Sequence, residues 1–170
     1  ARDIAEKFNR TYGDTFKLPS EKIIEAVATV PGIDGQKMSK SYKNTIPLFA
    51  TDEEIKTAVM KIPTDSAGID DAKDPDKSII YQIHSLVLDD EGKKALRAKF
   101  TNGGFGYKAL KDALIADMIA FISPLREKRA EIAKDTDAVI AVLKDGGTKI
   151  HAKVEEKMIE VREKVGIKFY

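Results

Sequence analysis

Thr51-Asp52-Glu53-Glu54 is where this sequence changes character. Thr51 suits an N-cap, and Glu54, three residues on, suits the reciprocal partner of a capping box, so a helix starts here. Before it, residues 31–51 are rich in Gly, Ser, Lys, Asn and Pro and poor in apolar side chains. That composition reads as a long irregular loop, and a loop this long in a compact domain is either functional or disordered. After Thr51 the pattern is helical almost throughout. Pro63 closes the first helix, and Ile79, Ile80, Ile83, Leu86 and Val87 form a second stripe. Residues 89–100 give a third, shorter helix that stops before Asn102-Gly103-Gly104. Leu110, Leu114, Met118, Phe121 and Leu125 recur on one helical face, which Pro124 is expected to kink or divide. Val139, Ile140, Val142 and Leu143 precede an expected break at Gly146-Gly147, and Ile150, Val154, Met158, Val161 and Val165 make the last stripe. From 52 to 165 the expectation is an antiparallel helical bundle.

Toward the N-terminus, Ile4, Ala5 and Phe8 are spaced as in a helix that stops at Tyr12-Gly13. Residues 23–30, Ile-Ile-Glu-Ala-Val-Ala-Thr-Val, fit a short buried strand before Pro31-Gly32; periodicity alone does not separate that from a buried helical segment. Residues 51–75 carry seven acidic against three basic side chains, and the part that holds Asp65, Asp70, Asp71 and Asp74 with Gly68 and Pro75 reads as a solvated connector.

Composition narrows the classes. The 170 residues hold 29 Lys plus Arg, 28 Asp plus Glu and no Cys. No Cys means no disulfide framework and no thiolate metal site. A net charge of +1 argues against a large basic nucleic-acid footprint. Hydrophobic residues at 42% argue against disorder. No apolar run approaches the ~18 residues of a membrane span. The first residue is Ala1, in a helical pattern, with no initiator Met.

The chemistry lies in Pro31-Gly32-Ile33-Asp34-Gly35-Gln36-Lys37-Met38-Ser39-Lys40-Ser41. Two ammonium groups three residues apart flank small hydroxyl residues just after a glycine-rich turn. Gly35 permits a tight turn and close approach to a ligand. Lysines, serine hydroxyls and backbone N–H groups together suit a polyphosphate, above all one whose charge changes during reaction. The plain alternative is a solvated Lys/Ser loop, which is common, and short motifs match by chance.

The string Lys37-Met38-Ser39-Lys40-Ser41 resembles, without mismatch, the KMSKS signature of class I aminoacyl-tRNA synthetases. Leu18-Pro19, Val30-Pro31-Gly32-Ile33-Asp34-Gly35-Gln36, Ser41-Tyr42-Lys43-Asn44-Thr45-Ile46, Thr64-Asp65-Ser66 and Gly104-Phe105-Gly106-Tyr107-Lys108-Ala109-Leu110-Lys111 resemble segments of the bacterial-type tryptophanyl-tRNA synthetases. Ala1-Arg2-Asp3-Ile4-Ala5-Glu6-Lys7-Phe8-Asn9 is similar to a helix of their catalytic domain. The resemblance implies a mainly α chain: residues 1–51 as the C-terminal remnant of a Rossmann-type α/β catalytic domain with the signature loop, and residues 52–170 as a helical domain that binds the anticodon end of tRNA. It implies activation of L-tryptophan by ATP with Mg²⁺ and transfer to tRNA(Trp) by a cytoplasmic homodimer. Lys37 and Lys40 would be catalytic, Lys40 foremost; Met38, Ser39 and Ser41 would complete the ATP-phosphate site; Val27 and Ala28 would touch the adenine. No residue spacing suggests a protein-held metal, so Mg²⁺ would arrive with ATP, and the chain alone would hold no cofactor.

One departure stands out. The class also needs a His-x-Gly-His-type motif near its N-terminus, and the two histidines here, His84 and His151, are not followed by Gly-His. The expectation is a C-terminal portion, inactive by itself. The rivals are a tyrosyl-tRNA synthetase portion, a non-catalytic helical RNA-binding module, and a purely structural bundle. Lys93, Lys94, Arg97, Lys99, Lys108 and Lys111, interleaved with Phe100, Phe105 and Tyr107, would suit an RNA surface; a solvated helix face with core aromatics is the competing reading. His84 reads as a core-edge residue, His151 as a surface one, and the Met residues as packing.

Overall fold

The computed structural model describes residues 1–24 and 27–167. It is helical: α1 (Arg2–Tyr12), α2 (Asp52–Met60), α3 (Ile79–His84), α4 (Asp90–Thr101), α5 (Tyr107–Ile132) and α6 (Thr136–Lys164). Local chemistry sets the ends. The Thr51 hydroxyl accepts from the Glu54 N–H, and the Glu54 carboxylate accepts from the Thr51 N–H at 2.8 Å, completing the capping box. The Ser78 and Asp89 side chains cap α3 and α4 by accepting from the Tyr81 and Gly92 N–H, one-way caps without the reciprocal bond. Gly13, at φ +83°, ends α1 with its N–H on the Asn9 carbonyl; a left-handed φ favours glycine because it has no Cβ.

The chain packs as two compact units. The first is Ala1–Ile23 with Ile132–Tyr170. There Phe8 meets Tyr12 and Phe16, with ring centroids 4.9 and 5.0 Å apart. The Asn9 carboxamide closes the turn after α1, accepting from Thr15 and Phe16 N–H and donating to the Phe16 carbonyl at 2.7 Å. Lys157 and Lys164 of α6 donate to the carbonyls of Thr15 and Asp14 at 3.0 and 2.8 Å.

The second unit is Ile24–Glu131. Ala50, Ile55, Val59, Ile62, Ile80, Ile83, Leu96, Phe100, Leu110, Leu114, Met118 and Ile122 form one buried cluster, with Ile33 and Ile46 packed against it. Burying side chains of this size stabilises by about 1.5–3 kcal/mol each. Phe100 is fully buried, edge-on to Tyr81.

Four expectations are corrected. The described residues of 23–30 form no strand: Ile23 and Ile24 are exposed, and the Val27 N–H turns back to the Ile24 carbonyl. Glu25 and Ala26 lie outside the described residues. A strand pairs its backbone groups with a neighbour, and the only ladder contact among the described residues is an isolated bridge between Pro31 and Lys37. Pro124 does not divide α5. It is exposed, as is Ala120 four residues before it, so the carbonyl left without a partner lies at the surface. Beyond it, Arg126 is tied to the Ala50 carbonyl and the Asp52 carboxylate at 2.6 and 2.8 Å, which holds the last turns in place. Ile122, not Phe121 or Leu125, continues the buried stripe of α5, the latter two being exposed. Finally, α6 passes unbroken through Gly146-Gly147, braced by an Asp145–Lys149 pair at 2.6 Å, and none of its residues is buried.

Candidate functional site

The loop between residues 30 and 44 is a closed hairpin-like turn. The Met38 N–H donates to the Val30 carbonyl (2.9 Å), the Gly32 N–H to Gln36 (2.7 Å) and the Gly35 N–H to Gly32 (2.9 Å). Gly35 has φ +82°, and a Cβ there would lie 2.9 Å from the Ile79 side chain, so the turn needs glycine both for its conformation and for its seat on α3. After the turn the chain folds over itself again. Tyr42 and Lys43 N–H donate to the Ser39 and Lys40 carbonyls, both at 3.2 Å, and Lys43 takes the left-handed φ of +54°.

Two residues inside this loop escaped the sequence reading as functional candidates. Asn44 is buried, with 2% of its surface exposed. Its carbonyl oxygen accepts from the Ser39 N–H at 2.8 Å, and its amide donates to the Asp34 carboxylate at 2.8 Å and the Lys37 carbonyl at 3.3 Å. Asp34 also accepts from the Gln36 N–H at 3.0 Å. The hydrogen bond from Asn44, helped by the one from Gln36, holds the Asp34 carboxyl below its ordinary range. The signal available was the Asp-Gly before the signature and the Asn after it, both residue types that favour turns.

The sequence-derived candidates fall as follows. Lys37 and Lys40 are exposed. Among the described residues neither ammonium group has an ion-pair or hydrogen-bond partner. The Ser39 and Ser41 hydroxyls lie 2.8 Å apart on the same turn. Met38 is half-buried and its N–H is taken by Val30, so it is part of the framework. Val27 and Ala28 are exposed at the foot of the loop, and among the described residues no hydrogen bond joins them to the signature residues. The loop thus presents two free cations and two hydroxyls on a hydrogen-bonded frame, which suits an anion with several oxygens.

The other segments that drew attention do different work. The acidic stretch is organised around Lys73, which is buried and donates to the carbonyls of Gly68 (2.7 Å) and Asp71 (2.9 Å). Its ammonium stands 5.3 Å from the Tyr107 ring, and the Tyr107 hydroxyl donates to Asp65 at 2.6 Å. Desolvation, then the hydrogen bond to Asp65, pushes the Tyr107 phenol up to about 12, while that bond holds Asp65 low. Gly103, at φ +72°, lets the Asp70 carbonyl approach to within 2.3 Å of where a Cβ would stand. The acidic stretch is therefore an exposed connector between α2 and α3, as read, and an ordered one. In the basic stretch, Arg97 makes a bidentate pair with Asp76 at 2.9 and 2.7 Å. Lys93 pairs with Asp90, Lys108 with Asp112, and Lys99 lies over Phe105. Lys111 donates to the carbonyls of Met60 (3.0 Å) and Ile62 (2.6 Å) at the end of α2, and burial pushes its ammonium pKa down. His84 is buried against Asp117 at 2.6 Å and His151 is exposed. Among the described residues no three His, Asp or Glu side chains gather as a metal-binding group.

A family model described as "tRNA synthetases class I (W and Y)" matches residues 1–123. The chain belongs to this family of class I tRNA synthetases. Among its relatives is a tryptophan–tRNA ligase of Fusobacterium nucleatum, 43% identical over 167 residues, which cover 98% of this chain and 51% of the relative. The Campylobacter jejuni tryptophan–tRNA ligase is 39% identical over 98% of this chain. A crystal structure of the Campylobacter jejuni tryptophanyl-tRNA synthetase, complexed with ADP and tryptophan, superposes with a TM-score of 0.79 at 38% identity, covering 98% of this chain and 52% of that one. The synthetase from Mycoplasma pneumoniae, at 17% identity and a TM-score of 0.75, shares the fold. This synthetase chain spans about half the length of the curated relatives it matches. These relatives are tryptophan–tRNA ligases, so the tyrosyl alternative is not favoured.

Proposed function

We propose that this chain is the part of a tryptophan–tRNA ligase that grips the phosphates of ATP and carries the tRNA-binding helices, and that it needs the remainder of the enzyme to act. The observation that carries this reading is the Lys37-Met38-Ser39-Lys40-Ser41 loop, with both ammonium groups exposed and unpaired among the described residues. In tryptophan activation, a carboxylate oxygen of the amino acid attacks the α-phosphorus of ATP. The bond to the bridging oxygen breaks, and pyrophosphate leaves with the electron pair. Negative charge grows on the leaving group, so cations that meet it late bind the transition state more tightly than the ground state and raise kcat. Lys40 takes that role first, with Lys37 beside it, and Ser39 and Ser41 donate to phosphate oxygens. Mg²⁺ would arrive bound to the phosphates of ATP and would supply part of the charge neutralisation there, with no protein-held site among the described residues. Val27 and Ala28 are the proposed neighbours of the adenine.

The proposed division of labour follows the sequence. Residues 1–51 belong to the catalytic domain, and residues 52–170 form the helical domain that receives the anticodon end of tRNA(Trp). The intact protein works as a cytoplasmic homodimer. The intramolecular pairs of Arg97, Lys93 and Lys108 and the carbonyl contacts of Lys111 leave less basic surface for RNA than the sequence count suggests, and they do not favour the free-standing RNA-binding module. The test is aminoacylation by the intact protein with each amino acid in turn. Charging of tRNA(Trp) with L-tryptophan is the expected result; charging with L-tyrosine instead would restore the rival.

A further inference from the structure

We propose that Asn44 is the positioning residue of the signature loop, its carboxamide fixing the backbone that carries Lys37 and Lys40 to the departing pyrophosphate. This rests on the reading of that loop as the ATP-phosphate site. Four residues converge on Asn44. Its side chain binds Asp34, Lys37 and Ser39, and its backbone carbonyl accepts from the Ile33 N–H at 3.0 Å. These lie on both sides of the glycine turn, so one buried residue ties the segment entering the turn to the first half of the signature. Lys37 and Lys40 have no partner for their ammonium groups. Their placement comes from the backbone alone, and Asn44 holds that backbone at Lys37 and Ser39.

The surroundings are shaped to seat this one side chain. A Cβ at Gly32 would stand 2.2 Å from the Asn44 amide nitrogen, so Gly32 leaves the space that Asn44 fills. Lys43 accepts a left-handed φ of +54°, which turns the chain so that Asn44 enters the loop; in a residue with a Cβ that conformation costs about 1–2 kcal/mol. The donor and acceptor pattern admits few substitutes. Asp at this position would set a carboxylate against Asp34 where the amide now donates at 2.8 Å. Alanine would leave the Ser39 N–H and Asp34 without these partners. Misplacement of a catalytic group by about 1 Å reduces rate on the order of 10²-fold.

The experiment uses the intact protein and measures L-tryptophan-dependent ATP–pyrophosphate exchange for wild type, Asn44→Ala, Asn44→Asp, Gly32→Ala, Lys40→Ala and the double variant Asn44→Ala/Lys40→Ala. The expected result is a fall in kcat of roughly 10- to 100-fold for Asn44→Ala and for Gly32→Ala, with the KM for tryptophan within about twofold. The double variant should lose clearly less than the product of the two single losses, because part of what Asn44 does is done through Lys40. A general structural role would instead give multiplied losses and a raised tryptophan KM. Amide exchange at Ser39, faster in Asn44→Ala, reports the loosened loop independently of activity. Where Asn44→Ala fails to fold, Gly32→Ala and Asn44→Ser carry the test. Unchanged kcat in the Asn44 and Gly32 variants beside a large loss in Lys40→Ala overturns this inference and leaves the phosphate site standing. Unchanged kcat in Lys40→Ala overturns both.

Discussion

Replacing Lys111 by Met removes an ammonium group while keeping most of the packing of its stem. Lys111 lies on α5 and donates to the Met60 and Ile62 carbonyls at 3.0 and 2.6 Å, where α2 has run out of its own donors. Met60 is 40% exposed and Ile62 only 1%, so water replaces the lysine at the first carbonyl far better than at the second. An acceptor buried without a partner costs about 1–3 kcal/mol. The lost cation at a helix C-terminus adds about 0.3–1 kcal/mol. Burial already opposes the charge, lowering the Lys111 pKa, so the net loss should sit in the lower part of the combined span of about 1.3–4 kcal/mol, at about 2 kcal/mol. For a chain of this size that is a fall in Tm of about 4–8 °C. The assay is a thermal melt followed by far-UV circular dichroism, paired with tRNA binding by the intact protein at two salt concentrations. An unchanged Tm together with tRNA affinity reduced several-fold would refute the reasoning, and would return Lys111 to the RNA surface that the sequence first suggested.

Gly103→Ala should destabilise by about 3 kcal/mol or more, because left-handed strain and a Cβ forced onto the Asp70 carbonyl act together; Gly104→Ala, with a similar φ and open space around it, should lose only about 1–2 kcal/mol, and urea midpoints compare the two. Gly146→Ala should stabilise this chain by about 0.5–1 kcal/mol, since Gly146 sits inside α6 with nothing within 4 Å of a new Cβ; a lower Tm would contradict it. The Tyr107–Asp65 pair sets two edges of a pH–stability profile. Asp65 is held below its ordinary value, so its contribution is present above about pH 4 and is lost as acid protonates it; Tyr107 is raised to about 12, so its contribution is complete below about pH 10 and is lost between there and 12. Tyr107→Phe should abolish the alkaline edge and shrink the acid one, read from urea midpoints across pH.

Helix ends were legible because they depend on nearest neighbours. The Thr51–Glu54 box, the stop at Gly13 and the end of α4 before Asn102-Gly103-Gly104 each need only a few adjacent residues. What failed depended on distant partners. Residues 23–30 have the apolar content of a strand but no described neighbour to pair with. Pro124 is a local breaker overruled by distant contacts, Arg126 reaching Ala50 and Asp52 across more than seventy residues, whereas Gly146-Gly147 weakens α6 without ending it. The acidic stretch is the exposed connector its composition suggests, but its internal order was not legible, because the sequence does not disclose that Lys73 gathers the loop's carbonyls around its ammonium group. At the candidate site the lysines and serines were readable as chemistry. Asn44 was not, because its role lies in burial and in contacts to residues five to eleven positions back, and an isolated Asn in a polar loop carries no such signal.

The most direct test of the phosphate-binding role assigned to residues 37–41 is the rate of L-tryptophan-dependent ATP–pyrophosphate exchange by the intact protein with and without Lys40→Ala. Lys40→Ala should lower kcat by about two orders of magnitude, as expected when a charge that stabilises the transition state is removed. The KM for tryptophan should stay near wild type and the melting transition unchanged. A Lys40→Ala protein that exchanges pyrophosphate at the wild-type rate would contradict it.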